Sequence, residues 1–137
     1  MAIRAFLSFV EEDLALVRLF RGQAKNERLD LEFDDYSIKV PFNSTNIDYI
    51  GRGISAQIKL AMLTVCLYGP TTYQSQWVDW ELKTSLSMGK PTMGVSLYGD
   101  GRIKYYPAAL QDLPRVPWDI PSIVRTMESL ASSYRGK

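Results

Sequence analysis

A helix-length polar segment lies between two apolar runs, and this arrangement constrains the fold more than any other feature of the chain. The first run covers residues 63–68 and ends at a Gly-Pro pair, and the second covers residues 91–98. Short apolar runs bounded by turn residues are typical of buried strands. Between them, Ser75 is suited to an N-cap, and Gly89 occupies the position of a glycine that ends a helix. The pattern predicts a strand, a helix over residues 75–88 and a second strand.

The predicted helix carries a glutamate beside its apolar face. At about 100° per residue, Val78, Leu82 and Leu86 share one arc, which we expect to face the sheet. Glu81 lies on the flank of that arc, and Trp77 lies one turn before it. The helix alone leaves two interpretations open: Glu81 lines a pocket, or it is a half-exposed surface residue.

Composition excludes several kinds of chemistry. The chain has 137 residues, no histidine, one cysteine and a formal net charge of +1. This length suits a single domain over residues 1–137. Without histidine there is no His-based acid–base catalysis and no His-ligated metal site, so we expect no metal. The balanced charge gives no indication of nucleic acid, and the absence of a membrane-length apolar run or signal-peptide pattern predicts a cytoplasmic protein without a membrane partner.

Strands and helices alternate along the chain, which predicts an α/β fold with a central parallel sheet between helical layers. The flavodoxin-like strand order 2-1-3-4-5 fits the number of elements, giving a three-layer sandwich. No role is assigned to residues 38–46 or 99–118, apart from an edge strand that Pro117 favours. The predicted elements are strand 3–9, helix 11–25, strand 29–33, helix 47–62, strand 63–68, helix 75–88, strand 91–97, edge strand 115–118, and a helix to Ser133 capped by Asp119 or Ser122.

The predicted topology gathers polar and aromatic residues at one edge of the sheet. In such folds, ligands bind beyond the carboxyl ends of the strands, near the switch between the first and third strands. Ser8 and Phe9 end the first strand, residues 34–37 follow the second, and Trp77 and Glu81 lie near the start of the helix after the third. Core packing is the alternative for Phe9 and Trp77, and capping of a turn is the alternative for Asp34.

Two further residues have simpler interpretations. Cys66 lies inside an apolar run and is interpreted as a small buried side chain without a chemical role. Arg52 stands between two glycines near a helix start, where it is suited to a phosphate contact, although a surface position is the favoured interpretation.

Three segments of the chain form a recognisable pattern: Phe6-Leu7-Ser8-Phe9, Phe33-Asp34 and Trp77-Val78-Asp79-Trp80-Glu81-Leu82. Together they resemble a TIR domain, and in particular the TIR-like proteins of the bacterial Thoeris anti-phage system. The resemblance covers roughly residues 3–98 and implies a TIR-like fold and cleavage of NAD, with Glu81 as the catalytic residue. It also implies a substrate site lined by Ser8, Phe9, Asp34, Tyr36, Ser37 and Trp77.

This chemistry suits a chain without histidine. Cleavage of the nicotinamide–ribose bond releases a group that is already a cationic pyridinium, so one carboxylate that stabilises the oxocarbenium-like carbon is sufficient. NAD is then the substrate and not a cofactor. The resemblance implies an NAD glycohydrolase or cyclase that makes a cyclic or modified ADP-ribose signal, self-association, and a separate effector protein that senses the product. Two alternatives stay open: a non-catalytic TIR-like interaction module, and an N-glycosidic enzyme similar to nucleoside deoxyribosyltransferases.

Overall fold

Five parallel strands form the centre of the protein. They lie in the order β2-β1-β3-β4-β5, and every neighbouring pair is parallel, which confirms the predicted flavodoxin-like α/β topology. A computed structural model describes residues 3–33, 42, 47–99 and 103–135. In chain order the strands are β1 (Ile3–Ser8), β2 (Leu29–Glu32), β3 (Leu63–Tyr68), β4 (Thr92–Ser96) and β5 (Arg115–Pro117).

Helices cover both faces of the sheet. The first and last helices pack with one apolar cluster, which includes Phe20, Val65 and Met127. The other two helices pack on the opposite face, where their clusters include Ile54 and Leu82. The helices are α1 (Leu14–Gln23), α2 (Ile47–Leu60), α3 (Gln76–Ser87) and α4 (Ile120–Arg135), with short 3-10 turns at Glu11–Asp13, Thr72–Gln74 and Ala108–Leu110.

The alternation of side chains along β1 determines which residues face α2 and α3. Phe6 belongs to an apolar cluster formed with those two helices, and Leu7 belongs to the cluster on the opposite face. Because successive strand residues point to opposite faces, Ser8 points to the same side as Phe6. The last residue of β1 therefore directs its hydroxyl towards the layer that contains α3.

The predicted ends of the elements agree closely with the structure. Each strand and helix begins and ends within three residues of its predicted limits. At the start of α4, the Ser122 amide donates to Asp119 Oδ2 at 3.1 Å, so Asp119 is the cap of the two candidates. Of residues 38–46, to which no role was assigned, only Phe42 lies within the described residues. Among the described residues, no helix is both long enough and apolar enough to cross a membrane.

The buried thiol of Cys66 provides a test of the central strand. Cys66 is fully buried in β3, opposite Ser8 across the β1–β3 pair. Burial raises the pKa of the thiol well above its ordinary value, and the charges of Glu81 and Asp13 add to the rise. We expect Cys66→Ala to lower the free energy of unfolding by about 1 kcal/mol, as small truncations in a core do. In the native protein the thiol should react with a thiol reagent only as fast as the chain opens. Labelling at the rate of an exposed cysteine would contradict this packing.

Candidate functional site

A buried serine–glutamate pair lies at the carboxyl end of β1. Ser8 is the last residue of that strand, and Glu81 lies in the second turn of α3. The Ser8 hydroxyl donates to Glu81 Oε1 at 2.6 Å. Ser8 is fully buried, and Glu81 is 3% exposed. Hydroxyl donors approach carboxylate oxygens to about 2.5–2.7 Å when the bond is charge-assisted. Glu81 is thus held inside the protein, and the interpretation as a half-exposed surface residue is wrong.

A second polar contact joins α3 to the sheet one turn further on. Thr64 Oγ1 of β3 and Ser85 Oγ are 2.7 Å apart, and Ser85 Oγ donates to the carbonyl oxygen of Glu81 at 2.8 Å. Because a hydroxyl has one hydrogen to donate, Thr64 is the donor to Ser85. We call Ser8, Thr64, Glu81 and Ser85 the polar seam. Its four side chains are all buried, and they hold α3 against β1 and β3.

The polar seam corrects the predicted orientation of α3. Leu86 was assigned to the core arc, but 41% of it is exposed, whereas Glu81 and Ser85 are buried beside Val78 and Leu82. An apolar arc alone misplaces the helix because the sheet offers hydroxyl partners that satisfy the polar side chains. The helix begins as predicted, since the Val78 amide donates to the Ser75 hydroxyl at 3.1 Å.

Trp77 combines core packing with a place beside a groove. It is 7% exposed, and its ring meets Phe42 edge-on, with 4.9 Å between ring centroids. A second edge-on contact joins it to Trp80 at 5.8 Å. Trp77 and Trp80 also line a groove of about 430 Å³ between α2 and α3, together with Arg52. The indole is therefore mainly a packing element whose edge reaches an open surface.

The other predicted substrate residues fall into two groups. Phe9 is buried in the core cluster shared with α1 and α4, where it meets Phe33 edge-on at 4.9 Å. The structure thus places Phe9 in the core layer opposite α3 and does not bring it to Glu81. Asp34, Tyr36 and Ser37 lie outside the described residues. In the ranges that are described, no group of three Asp, Glu or Cys side chains is arranged to hold a metal ion.

A second buried carboxylate, Asp13, was missed by the sequence analysis. It is 3% exposed, although it belongs to the acidic run Glu11-Glu12-Asp13 at the start of the predicted helix 11–25. The Tyr98 hydroxyl donates to its Oδ1 at 3.4 Å, and Oδ2 has no hydrogen-bond partner within the described residues. Burial raises the pKa of Asp13, the charge of Glu12 adds to the rise, and the hydroxyls of Tyr98 and Thr72 partly offset it. Three adjacent acidic residues at a helix start are typical of an exposed turn, so the sequence does not indicate that one of them is buried.

The parallel sheet with the order β2-β1-β3-β4-β5 defines a flavodoxin-like α/β domain. A sequence model described as "Thoeris protein ThsB, TIR-like domain" matches residues 6–102. The chain therefore belongs to the Thoeris TIR-like family. Comparison with curated protein sequences gave no match.

Two solved structures show the same architecture at low sequence identity. The SEFIR domain of the IL-17 receptor B is 14% identical, with a TM-score of 0.63 and 97% of each chain covered. A 3-dehydroquinate dehydratase-like protein from Bifidobacterium longum is also 14% identical, with a TM-score of 0.51 and full coverage of both chains. At this identity the likeness concerns the fold alone.

The Ser8–Glu81 hydrogen bond should contribute measurably to stability. We expect Ser8→Ala to lower the free energy of unfolding by about 1–3 kcal/mol, because it removes a donor from a buried carboxylate. Ser87→Ala is the matched control, since the Ser87 hydroxyl donates to the Thr84 carbonyl at 2.8 Å on the exposed side of the same helix. Chemical denaturation of the three proteins measures the difference. Equal losses of unfolding free energy in both variants would show that the buried hydrogen bond contributes no more stability than the exposed one.

Proposed function

We propose that the protein cleaves the nicotinamide–ribose bond of NAD, with Glu81 as the catalytic carboxylate. We further propose that the product is a cyclic or otherwise modified ADP-ribose that acts as a signal in anti-phage defence. Membership of the Thoeris TIR-like family supports this proposal. The observation that carries it is the burial of Glu81 at the carboxyl edge of the sheet, where its carboxylate accepts a 2.6 Å hydrogen bond from Ser8.

The reaction needs only what this site contains. When the bond between the ribose C1′ and the pyridinium nitrogen breaks, the electron pair leaves with nicotinamide, which departs neutral. Positive charge then develops on the ribose at C1′ and its ring oxygen. A fixed carboxylate in a water-poor site stabilises that charge strongly because the surrounding dielectric is low. Attack at C1′ by water, or by an atom of the same ADP-ribose, completes the reaction with loss of one proton to solvent.

Ser8 is proposed to hold Glu81 in its reactive orientation. A hydrogen bond from a residue fixed in a strand restricts the rotamers of the carboxylate, so little reorganisation is needed when charge develops. Trp77 is proposed to contact a flat ring of the substrate through the edge that reaches the surface. Asp34, Tyr36 and Ser37 follow β2 in the sequence and are proposed to bind the ribose hydroxyls.

Replacement of the Glu81 charge tests the proposal directly. Glu81→Gln preserves the size of the side chain and an oxygen that accepts from Ser8, but it removes the negative charge. We expect NAD turnover to fall by on the order of 10²–10³-fold, as with the loss of other preorganised electrostatic groups. The melting temperature should stay close to that of the wild type. Mass spectrometry of the products and a melting curve provide the two measurements.

Asp79→Asn is the matched control for that experiment. Asp79 lies two residues earlier on the same helix, where it pairs with Lys83 at 2.8 Å on the exposed side. Removal of this charge should leave turnover within about twofold, because exposed charges are strongly screened. Equal rates for Glu81→Gln and the wild type would remove Glu81 from the mechanism. A wild type that cleaves a deoxynucleoside but not NAD would favour the deoxyribosyltransferase-like alternative, and one that cleaves neither would favour the non-catalytic module.

The near-complete burial of Glu81 predicts that activity depends on association. A carboxylate that is 3% exposed is closed to the ribose until its surroundings rearrange. We propose that self-association opens or completes the site, and that a separate effector protein senses the product. The specific activity should therefore rise with protein concentration over the range in which light scattering detects association. A constant specific activity across that range would contradict this part of the proposal.

A further inference from the structure

Asp13 is a buried carboxylate for which the proposed reaction gives no reason. It lies in the connection between β1 and α1, and it contacts the segments that follow two other strands. The Tyr98 hydroxyl, beyond the end of β4, donates to Oδ1 at 3.4 Å. Only 3% of Asp13 is exposed, and Oδ2 has no hydrogen-bond partner within the described residues. Desolvating a carboxylate without full hydrogen bonding is costly, so the charge needs an explanation.

The second oxygen of Asp13 lies against the chain that leads into α3. A Cβ atom added at Gly69 would lie 2.5 Å from Asp13 Oδ2, so only glycine leaves room for this carboxylate. The Gly69 amide donates to the Thr72 hydroxyl at 2.8 Å, in the 3-10 turn that precedes α3. The Asp13 side chain is therefore enclosed by the connections that follow β1, β3 and β4, at the edge of the sheet where Glu81 is found.

The charges of Asp13 and Glu81 act on a common point inside the protein. Both carboxylates contribute to the raised pKa of the Cys66 thiol, after the larger effect of burial. Cys66 is the residue of β3 that lies opposite Ser8, and Ser8 binds Glu81. Both carboxylates therefore lie within electrostatic range of Cys66, the β3 residue that pairs with the serine that binds Glu81.

We propose that the negative charge of Asp13 supplements that of Glu81 during cleavage. Its effect on the reacting carbon is electrostatic and acts through the protein interior, without contact to the substrate. This inference rests on the proposed NAD cleavage. A site that develops positive charge gains from a second nearby anion, which offsets the cost of burying a carboxylate that has one long hydrogen bond and no cationic partner within the described residues.

The test compares Asp13→Asn with Glu12→Gln in the full chain. The asparagine keeps the shape of Asp13 and loses its charge. We expect kcat for NAD to fall on the order of tenfold, because a unit charge that acts through the protein interior is only weakly screened. KM should change by less than about twofold. Glu12 is the neighbouring exposed carboxylate, which accepts from the Thr71 hydroxyl at 3.0 Å, and its replacement should leave kcat unchanged.

Stability against pH gives a readout that does not depend on NAD. The raised pKa of Asp13 means that the folded state holds this proton more firmly than the unfolded state, whose pKa is near 3.8. Stability attributable to Asp13 is therefore highest at acidic pH and is lost as the pH rises through the folded pKa. The wild type should lose stability relative to Asp13→Asn as the pH rises above about 3.8, the unfolded value, and through the raised folded pKa. The titratable groups around Asp13 are Glu12, Tyr98 and Cys66, and Asp13→Asn leaves all three in place.

Tyr98→Phe provides a second variant in case Asp13→Asn does not fold. It keeps the ring and removes a hydroxyl that stabilises the charged form of Asp13. The acidic limb of the kcat profile should therefore move to higher pH, because Asp13 is then protonated more readily.

The possible outcomes separate this inference from the proposed function. A lower kcat in Asp13→Asn with unchanged KM supports the inference, and so does an acidic limb that moves in Tyr98→Phe. Normal kcat in Asp13→Asn, with Glu81→Gln inactive, overturns the inference alone. Loss of activity that merely follows the folded fraction also overturns it, since that loss describes a structural residue. A wild type that does not cleave NAD overturns the proposed function and the inference together.

Discussion

The hydrogen bond between Ser8 and Glu81 is the contact on which the arrangement of α3 depends. A carboxylate enters a protein interior only when a donor replaces the water that it loses. That donor is fixed at the end of β1, 2.6 Å from Oε1. Because Thr64 and Ser85 make a second contact one turn later, the helix has two polar fixed points against the sheet. The apolar Leu86 is consequently turned towards solvent, although packing alone favours the reverse.

The sequence predicts features that depend on near neighbours. The six consecutive buried residues of β3 and the Ser75 cap of α3 follow from local patterns. The alternation of strands and helices along the chain, which predicts the parallel sheet, is also a local pattern. The sequence predicts that Ser8 and Glu81 lie at the same edge of the sheet, because parallel topology brings the carboxyl ends of the strands together. The orientation of α3 and the burial of Asp13 were missed, since they depend on partners far along the chain: 73 residues separate Ser8 from Glu81, and 85 separate Asp13 from Tyr98.

The fold and the chemistry are supported by different observations. The solved structures share this architecture at 14% identity, so many sequences are compatible with the same sheet order. The family match identifies the chain as a Thoeris TIR-like domain without testing its reaction. A fold that many proteins share does not determine function, which depends on the residues of the site. The site in this protein differs from ordinary packing in one respect. It places two carboxylates inside an edge of the sheet where apolar or neutral side chains would be easier to bury.

Helix geometry explains how these two charges are tolerated and why they differ. Asp13 occupies the N-cap position of α1, where the positive end of the helix dipole partly compensates a buried anion. Glu81 lies in the second turn of α3, where this effect has largely faded. Its charge depends instead on direct donors, of which Ser8 is one. Under the proposed function, Glu81 exchanges the Ser8 donor for a ribose hydroxyl of the substrate, whereas the proposed electrostatic effect of Asp13 requires no such exchange.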